Sequence, residues 1–150
     1  VGLGDSEVRE GQRVHEIWPS VIEKAWAKYK GGYQRTGDFY SATAFSFIGG
    51  SAEGYDPRDM SKKEILALLR RAEREGYPMT LGTDSPKDMS RRAEGAMTRL
   101  NLHGYHAYAF MGLEGDRVRL YNPWGHGHPT RAIKVSEIQR LFASMSLGRY

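Results

Sequence analysis

The chain has 150 residues, 22 basic and 18 acidic side chains, a formal net charge of +4 and no cysteine. That length suits one compact domain, and the missing cysteines exclude disulfides and argue against a zinc site. The basic residues are scattered beside acidic ones, so no nucleic-acid stripe is present, and the absence of an apolar run of about 18 residues excludes a membrane span of the helical kind.

The chain opens on Val1-Gly2-Leu3-Gly4 with no initiator Met, charged n-region or apolar h-region, the start expected of a fragment or a processed chain. Its two glycines are too few for a phosphate cradle. Val21, Ile22, Ala25, Trp26 and Tyr29 recur at spacings of three and four, which predicts an amphipathic helix over about 18–30. Pro19 suits its first turn and Gly31-Gly32 its end. Residues 33–55 are rich in Gly and aromatics without periodicity and read as an ordered loop; Ser41, Ser46 and Ser51 have no nucleophile-elbow setting there. Ser61 and Glu64 form a capping box ahead of Ile65, Leu66, Leu68, Leu69 and Ala72, and Gly76 closes that helix. Residues 77–82 form a short strand. Residues 83–102, polar and charged with a turn at Asp84-Ser85-Pro86, read as a surface excursion. Two strands follow over 105–111 and 117–121, joined by a loop with Gly112 and Gly115. Ser136 and Gln139 mark a last helix carrying Ile138, Leu141 and Phe142. Helices followed by antiparallel strands give an α+β class.

The chemistry concentrates on that hairpin. A histidine on one strand and an asparagine at the end of the next can meet near one end of an antiparallel pair. The carboxamide of Asn122 can then accept the ring N–H of His106, fix its tautomer, and be covered by Trp124. This is the base-and-orienter half of a nucleophilic site, and the nucleophile is missing. On spacing alone the plain alternative stays open, a packed histidine and an Asn-Pro turn. His126-Gly127-His128, near His103 and His106, suits a solvent loop with few carboxylates about it, and no metal is expected.

Gly104-Tyr105-His106-Ala107-Tyr108 resembles the Gly-His-Ala-Tyr of calpain-type, papain-fold cysteine proteases, with Tyr105 inserted before the histidine. Asn122-Pro123-Trp124-Gly125 is similar to that family's Asn-Pro-Trp-Gly. Residues 18–28 resemble the helix that opens its second protease subdomain. Gly32-Tyr33 and Phe47-Ile48-Gly49-Gly50 resemble its Gly-Ser-Tyr and Phe-Thr-Gly-Gly stretches. The resemblance implies a single α+β domain over 1–150, the right-hand, His/Asn-bearing half of a papain-like core, with an antiparallel sheet and flanking helices. It implies His106 as general base, Asn122 as orienter, Trp124 as lid, and Gly104 and Tyr105 beside them at the substrate.

The departures carry equal weight. Leu3-Gly4-Asp5-Ser6 mimics the family's Leu-Gly-Asp-Cys, but Glu7 to Gln12 is too polar for the buried helix that should follow, so Ser6 is not expected to replace the thiol. A thiol nucleophile is then expected from a Cys-bearing partner chain or an excised segment, acting on a protein substrate with no nucleic acid or membrane involved. Glu53 falls where a family calcium loop lies, while residues 83–88 depart from its acidic pattern, so no cofactor is expected. The short loops suit a soluble, compact bacterial-type effector or toxin protease acting in a target cytoplasm. Two rivals remain: a pseudoprotease that binds a peptide in a groove lined by Trp124, Tyr105 and Tyr108, and an anion-binding domain suggested by the positive charge.

Overall fold

A computed structural model describes residues 6–9, 12–15, 18–32, 41–47, 50–85, 87 and 90–149. Leu3-Gly4-Asp5, Tyr33, Ile48-Gly49 and Pro86, all used in the sequence reading, lie outside the described residues. The chain divides into two compact units, Val1–Phe39 and Tyr40–Tyr150.

In the first unit, strands β1 (Ser6–Arg9) and β2 (Gln12–His15) pair antiparallel with Ser6 opposite His15, so Ser6 opens a strand and not a helix. Helix α1 (Trp18–Lys30) ends where Gly31 and Gly32 take φ of 82° and 131°. Periodicity finds this helix, and of the expected face Trp26 is packed. Trp26 and Ala27 are buried, whereas Val21, Ala25 and Tyr29 are exposed. Trp26 stacks on Tyr29 at 5.7 Å, with the Lys30 ammonium 5.0 Å from its ring.

The second unit carries a six-stranded antiparallel sheet in the order β3-β8-β4-β5-β6-β7. Its strands are β3 (Ser51–Tyr55), β4 (Met79–Gly82), β5 (Ala107–Glu114), β6 (Arg117–Tyr121), β7 (Ile133–Lys134) and β8 (Ser144–Arg149). Its helices are α2 (Ser41–Phe47), α3 (Lys62–Glu75), α4 (Arg91–Leu100) and α5 (Val135–Leu141). The predicted capping box is present on α3: the Ser61 hydroxyl accepts from Glu64 N, the Glu64 carboxylate accepts from Ser61 N, and Gly76 closes the helix at φ 66°. On α5 the cap lies two residues before the expected one, with the Glu137 carboxylate accepting from Lys134 N.

Three further expectations are corrected. Residues 33–55 are not a loop throughout, since α2 and β3 lie in them. Residues 83–102 are not a surface excursion, because α4 buries Ala93, Ala96, Met97 and Leu100. Small side chains at the apolar positions and five charged or polar neighbours dilute its stripe below recognition. Strand β8 was unmarked because Met145 and Leu147 are its only strongly apolar residues among Ser144, Ser146 and Gly148, yet it lies inside the sheet between β3 and β4. Gly148 is needed there: a Cβ would stand 2.9 Å from the Phe45 ring of α2 and 3.1 Å from Pro78.

One apolar cluster holds the unit together. It joins Ile65, Leu68, Leu69 and Ala72 of α3, Met97 and Leu100 of α4, and Ile138 and Leu141 of α5 to Met79, Leu81, Tyr108, Val118, Met145 and Leu147 of the sheet. A bulge between Phe110 and Gly112 bends β5, with Gly112 at φ 121° and the Glu73 carboxylate accepting from Leu113 N. At the β3 edge, Glu53 takes Arg149 at 2.7 Å, Arg71 at 3.1 Å and the Tyr55 hydroxyl. The Tyr55 hydroxyl and the Arg71 guanidinium, helped by the charge of Arg149, hold the Glu53 carboxyl below its ordinary value. Among the described residues no helix is long and apolar enough to cross a membrane.

Candidate active site

Because β5 and β6 run antiparallel, the residue before one and the residue after the other share an end of the sheet. Ala109 pairs with Tyr121, which places His106 and Asn122 just beyond the paired region, and Trp124 beside them. The His106 and Trp124 ring centroids are 4.2 Å apart.

Asn122 is fully buried, so each of its polar groups needs a partner. Its Oδ1 receives the Trp124 N–H at 3.1 Å and lies 2.8 Å from His106 Nε2. Its Nδ2 donates to Gly127 O at 3.1 Å, its backbone N donates to His128 Nδ1 at 3.2 Å, and its carbonyl accepts from Gly125 N at 3.0 Å. A backbone N–H only donates and a backbone carbonyl only accepts, so Trp124 and Gly127 fix which way the carboxamide points. Oδ1 then faces His106, whose Nε2 must carry the proton. Nδ1 is left with the lone pair, which is the form that can take a proton from an incoming acid.

The imidazole is held from below and behind as well. Tyr108, fully buried, meets the His106 ring edge-on at 4.9 Å. Its hydroxyl accepts from His103 N at 2.8 Å, and burial pushes the phenol up, so it stays protonated. Thr83, buried at the end of β4, grips the same backbone three times. Its N donates to His106 O at 2.9 Å, its hydroxyl accepts from His106 N at 3.0 Å, and it donates to His103 O at 2.6 Å. Next to it, Asp84 O accepts from Tyr105 N at 3.1 Å, while its carboxylate takes Arg58 Nη1 at 3.0 Å. Sequence reasoning missed Thr83 because its partners lie 20 and 23 residues away. His128 is exposed, as its loop suggests, and nothing local marks its bond to Asn122.

The other expected residues fall around this pair. Gly104 lies in the turn leading to Tyr105, which takes φ 50° and is 77% exposed. Trp124 is 54% exposed and touches His103 as well, at 4.9 Å. Among the described residues no group of three His, Asp or Glu side chains could hold a metal ion. Glu53 is turned to two guanidiniums and a phenol, and Asp56 and Asp84 share Arg58.

The arrangement holds an imidazole in one tautomer against a buried carboxamide, and the sequence contains no cysteine. The pattern described as calpain family cysteine protease matches residues 7–132 of this chain. Calpain-8 of Mus musculus is 35% identical over 121 residues, covering 74% of this chain and 16% of that protein. Calpain clp-4 of Caenorhabditis elegans is 31% identical over 120 residues, covering 74% and 16%. The calpain-type cysteine protease DEK1 of Arabidopsis thaliana is 27% identical over 123 residues, covering 77% and 6%. The chain thus spans between 6% and 16% of the length of these relatives. With the family pattern over most of its length, this chain belongs to the calpain family of cysteine proteases.

Proposed function

We propose that this chain supplies the base and its orienter to a calpain-type cysteine endopeptidase, with His106 as general base, Asn122 as orienter and Trp124 as the shield over their bond. The observation that carries this reading is the 2.8 Å contact between His106 Nε2 and an Asn122 carboxamide whose orientation two backbone groups fix. The thiol comes from a cysteine outside residues 1–150, on a separate or removed segment, since none lies within them.

In this scheme Nδ1 of His106 takes the thiol proton and the thiolate attacks a peptide carbonyl. The imidazolium returns that proton to the leaving amine, and a thioester remains. Nδ1 next deprotonates a water that hydrolyses the thioester and restores the thiol. The neutral Asn122 holds the ring without competing for the positive charge that the thiolate stabilises. Gly104, Tyr105 and Trp124 flank the place where a protein substrate reaches His106.

A thiol-directed peptidyl epoxide applied to the natural polypeptide carrying residues 1–150 tests the reading. One cysteine outside this segment is labelled, and His106→Ala slows labelling and peptide cleavage by about a thousandfold. Unchanged cleavage in that variant overturns it. The lack of any cysteine also favours a second reading, a pseudoprotease that binds a peptide over Trp124 and Tyr105. In that case His106→Ala leaves peptide binding intact and no cleavage is seen in the parent. The short loops suit an effector or toxin protease, a role tested by following export of the natural polypeptide.

A further inference from the structure

We infer that His128 is a positioning residue for Asn122 and fills that role only while its imidazole is neutral, so that the loop behind the His106–Asn122 pair makes it sensitive to acid. In its consequence for turnover, though not in its geometry, the inference rests on the function proposed above.

After Asn122 the chain turns through Pro123 to Gly127, with Gly125 at φ 74° and Gly127 at φ 62°, and returns to the strand end it has just left. The loop closes tightly. A Cβ on Gly127 would stand 3.6 Å from both Asn122 Nδ2 and His103 Nε2 in a backbone conformation that L side chains rarely adopt. His128, exposed at the return point, has one ring contact and one backbone contact there. Its ring lies over Tyr121 at 4.6 Å, and its carbonyl accepts from Asn101 Nδ2 at 3.1 Å. Its Nδ1 then receives the backbone N–H of Asn122 at 3.2 Å.

That last bond has one allowed polarity. An amide N–H cannot accept, so Nδ1 must present a lone pair and the ring proton must sit on Nε2. A protonated imidazole donates from both nitrogens and would set N–H against N–H. The amide of the fully buried Asn122 would lose its acceptor, and the loop whose Gly127 carbonyl holds the same carboxamide would be pushed away. The groups facing His128 are the Tyr121 ring on β6, Asn101 at the end of α4 and Asn122 itself. His126 lies in the same loop, and His103 lies across Gly127. Among the described residues no ion pair includes His128.

The test uses the natural polypeptide carrying residues 1–150, with nitrogen-15 NMR reading the histidine tautomers and amide exchange across an acid titration. Where the Asn122 bond is made, His128 is expected to show the Nε2–H tautomer. As it takes up a proton, exchange of the Asn122 amide and of the His106 ring N–H accelerates by about tenfold after allowance for intrinsic pH effects. His128→Asn, whose Oδ1 stands where Nδ1 does and accepts at every pH, removes that step; His128→Ala shows fast exchange throughout. In turnover the same variants move the acid limb of kcat and leave KM alone. Asn122 exchange indifferent to His128 titration, or an Asn variant that keeps the wild-type acid step, overturns the inference. Should the exchange step appear in a polypeptide that cleaves no peptide, the proposed function fails and the positioning role stands.

Discussion

Two polar clusters sit in different parts of the same sheet and are built on opposite plans. Around Glu53, one carboxylate gathers Arg71, Arg149 and the Tyr55 hydroxyl, and the charged side chains remain 23% to 44% exposed. Around Asn122, every described partner is an imidazole or a backbone group, the residue is fully buried, and each donor has a named acceptor. The first cluster is redundant: remove one cation and another remains. The second has no spare partner, because directional bonds fix one orientation of one carboxamide. Ions in contact with water tie an edge strand down, and matched neutral bonds aim an imidazole.

The sharpest way to break this contrast is Asn122→Ala. It leaves His106 Nε2, Trp124 N–H and Gly127 O, all of them part-buried or exposed, without their partner, at about 1 kcal/mol for each bond lost. The expected result in an assay of the natural polypeptide is a fall in kcat/KM of about a hundredfold or more, with a lowered midpoint in thermal unfolding. Thr83→Val should come next. It keeps the shape and removes the hydroxyl that accepts from His106 N and donates to His103 O, for a loss of about 1–3 kcal/mol in denaturant unfolding. Thr83→Ser keeps the hydroxyl and should recover most of that loss.

At the charged cluster the effects shrink. Glu53→Gln should cost about 1 kcal/mol or less, since exposed pairs are screened and one partner can substitute for another. Its pH signature has a definite sign. The Glu53 carboxyl is held below its ordinary value of 4.5, so its contribution is complete above that pH and disappears as the pH falls through the lower, folded-state value. The loss of stability on acidification should therefore be shallower in Glu53→Gln than in the parent. The smallest effect is that of salt. Raising ionic strength from 0.1 to 1 M shortens the screening length from about 10 Å to about 3 Å and should trim the Glu53 cluster by a few tenths of a kcal/mol. The His106 ring N–H should exchange at the same rate in both.

How much of this was legible beforehand follows from how far each signal reaches. The α3 helix announced itself because its cap, apolar stripe and closing glycine are all local. The β5–β6 hairpin did so because two alternating runs flank a short glycine-bearing loop, and that alone put His106 and Asn122 at one end of a sheet. Helix α4 was hidden because Ala93 and Ala96 are packed without being strongly apolar. Strand β8 was hidden because half of its residues are Ser or Gly, chosen to fit against Phe45 and β4 and not for hydrophobicity. The helix α1 was found, but of its expected face Trp26 is packed and Val21, Ala25 and Tyr29 are exposed, since periodicity says that a stripe exists and not what covers it. Thr83 and His128 were beyond reach for another reason: a hydroxyl and a ring nitrogen gain their meaning only from groups brought near by the completed fold.

The place of β8 in the sheet has a consequence for how the protein is made. Of the six strands of this sheet it is the last to be made, yet it lies between β3 and β4 and, among the described residues, is the one sheet neighbour of β3. A nascent chain that has already emitted His106 and Asn122 still holds β3 unpaired and the Met79–Leu81 edge of β4 open. Closure of the sheet must wait until Arg149 has cleared the exit tunnel. A ribosome stalled with Leu141 just clear of the tunnel would display the hairpin and its imidazole on an unfinished sheet, and protease digestion of such stalled chains should cut at 51–55 until β8 is released.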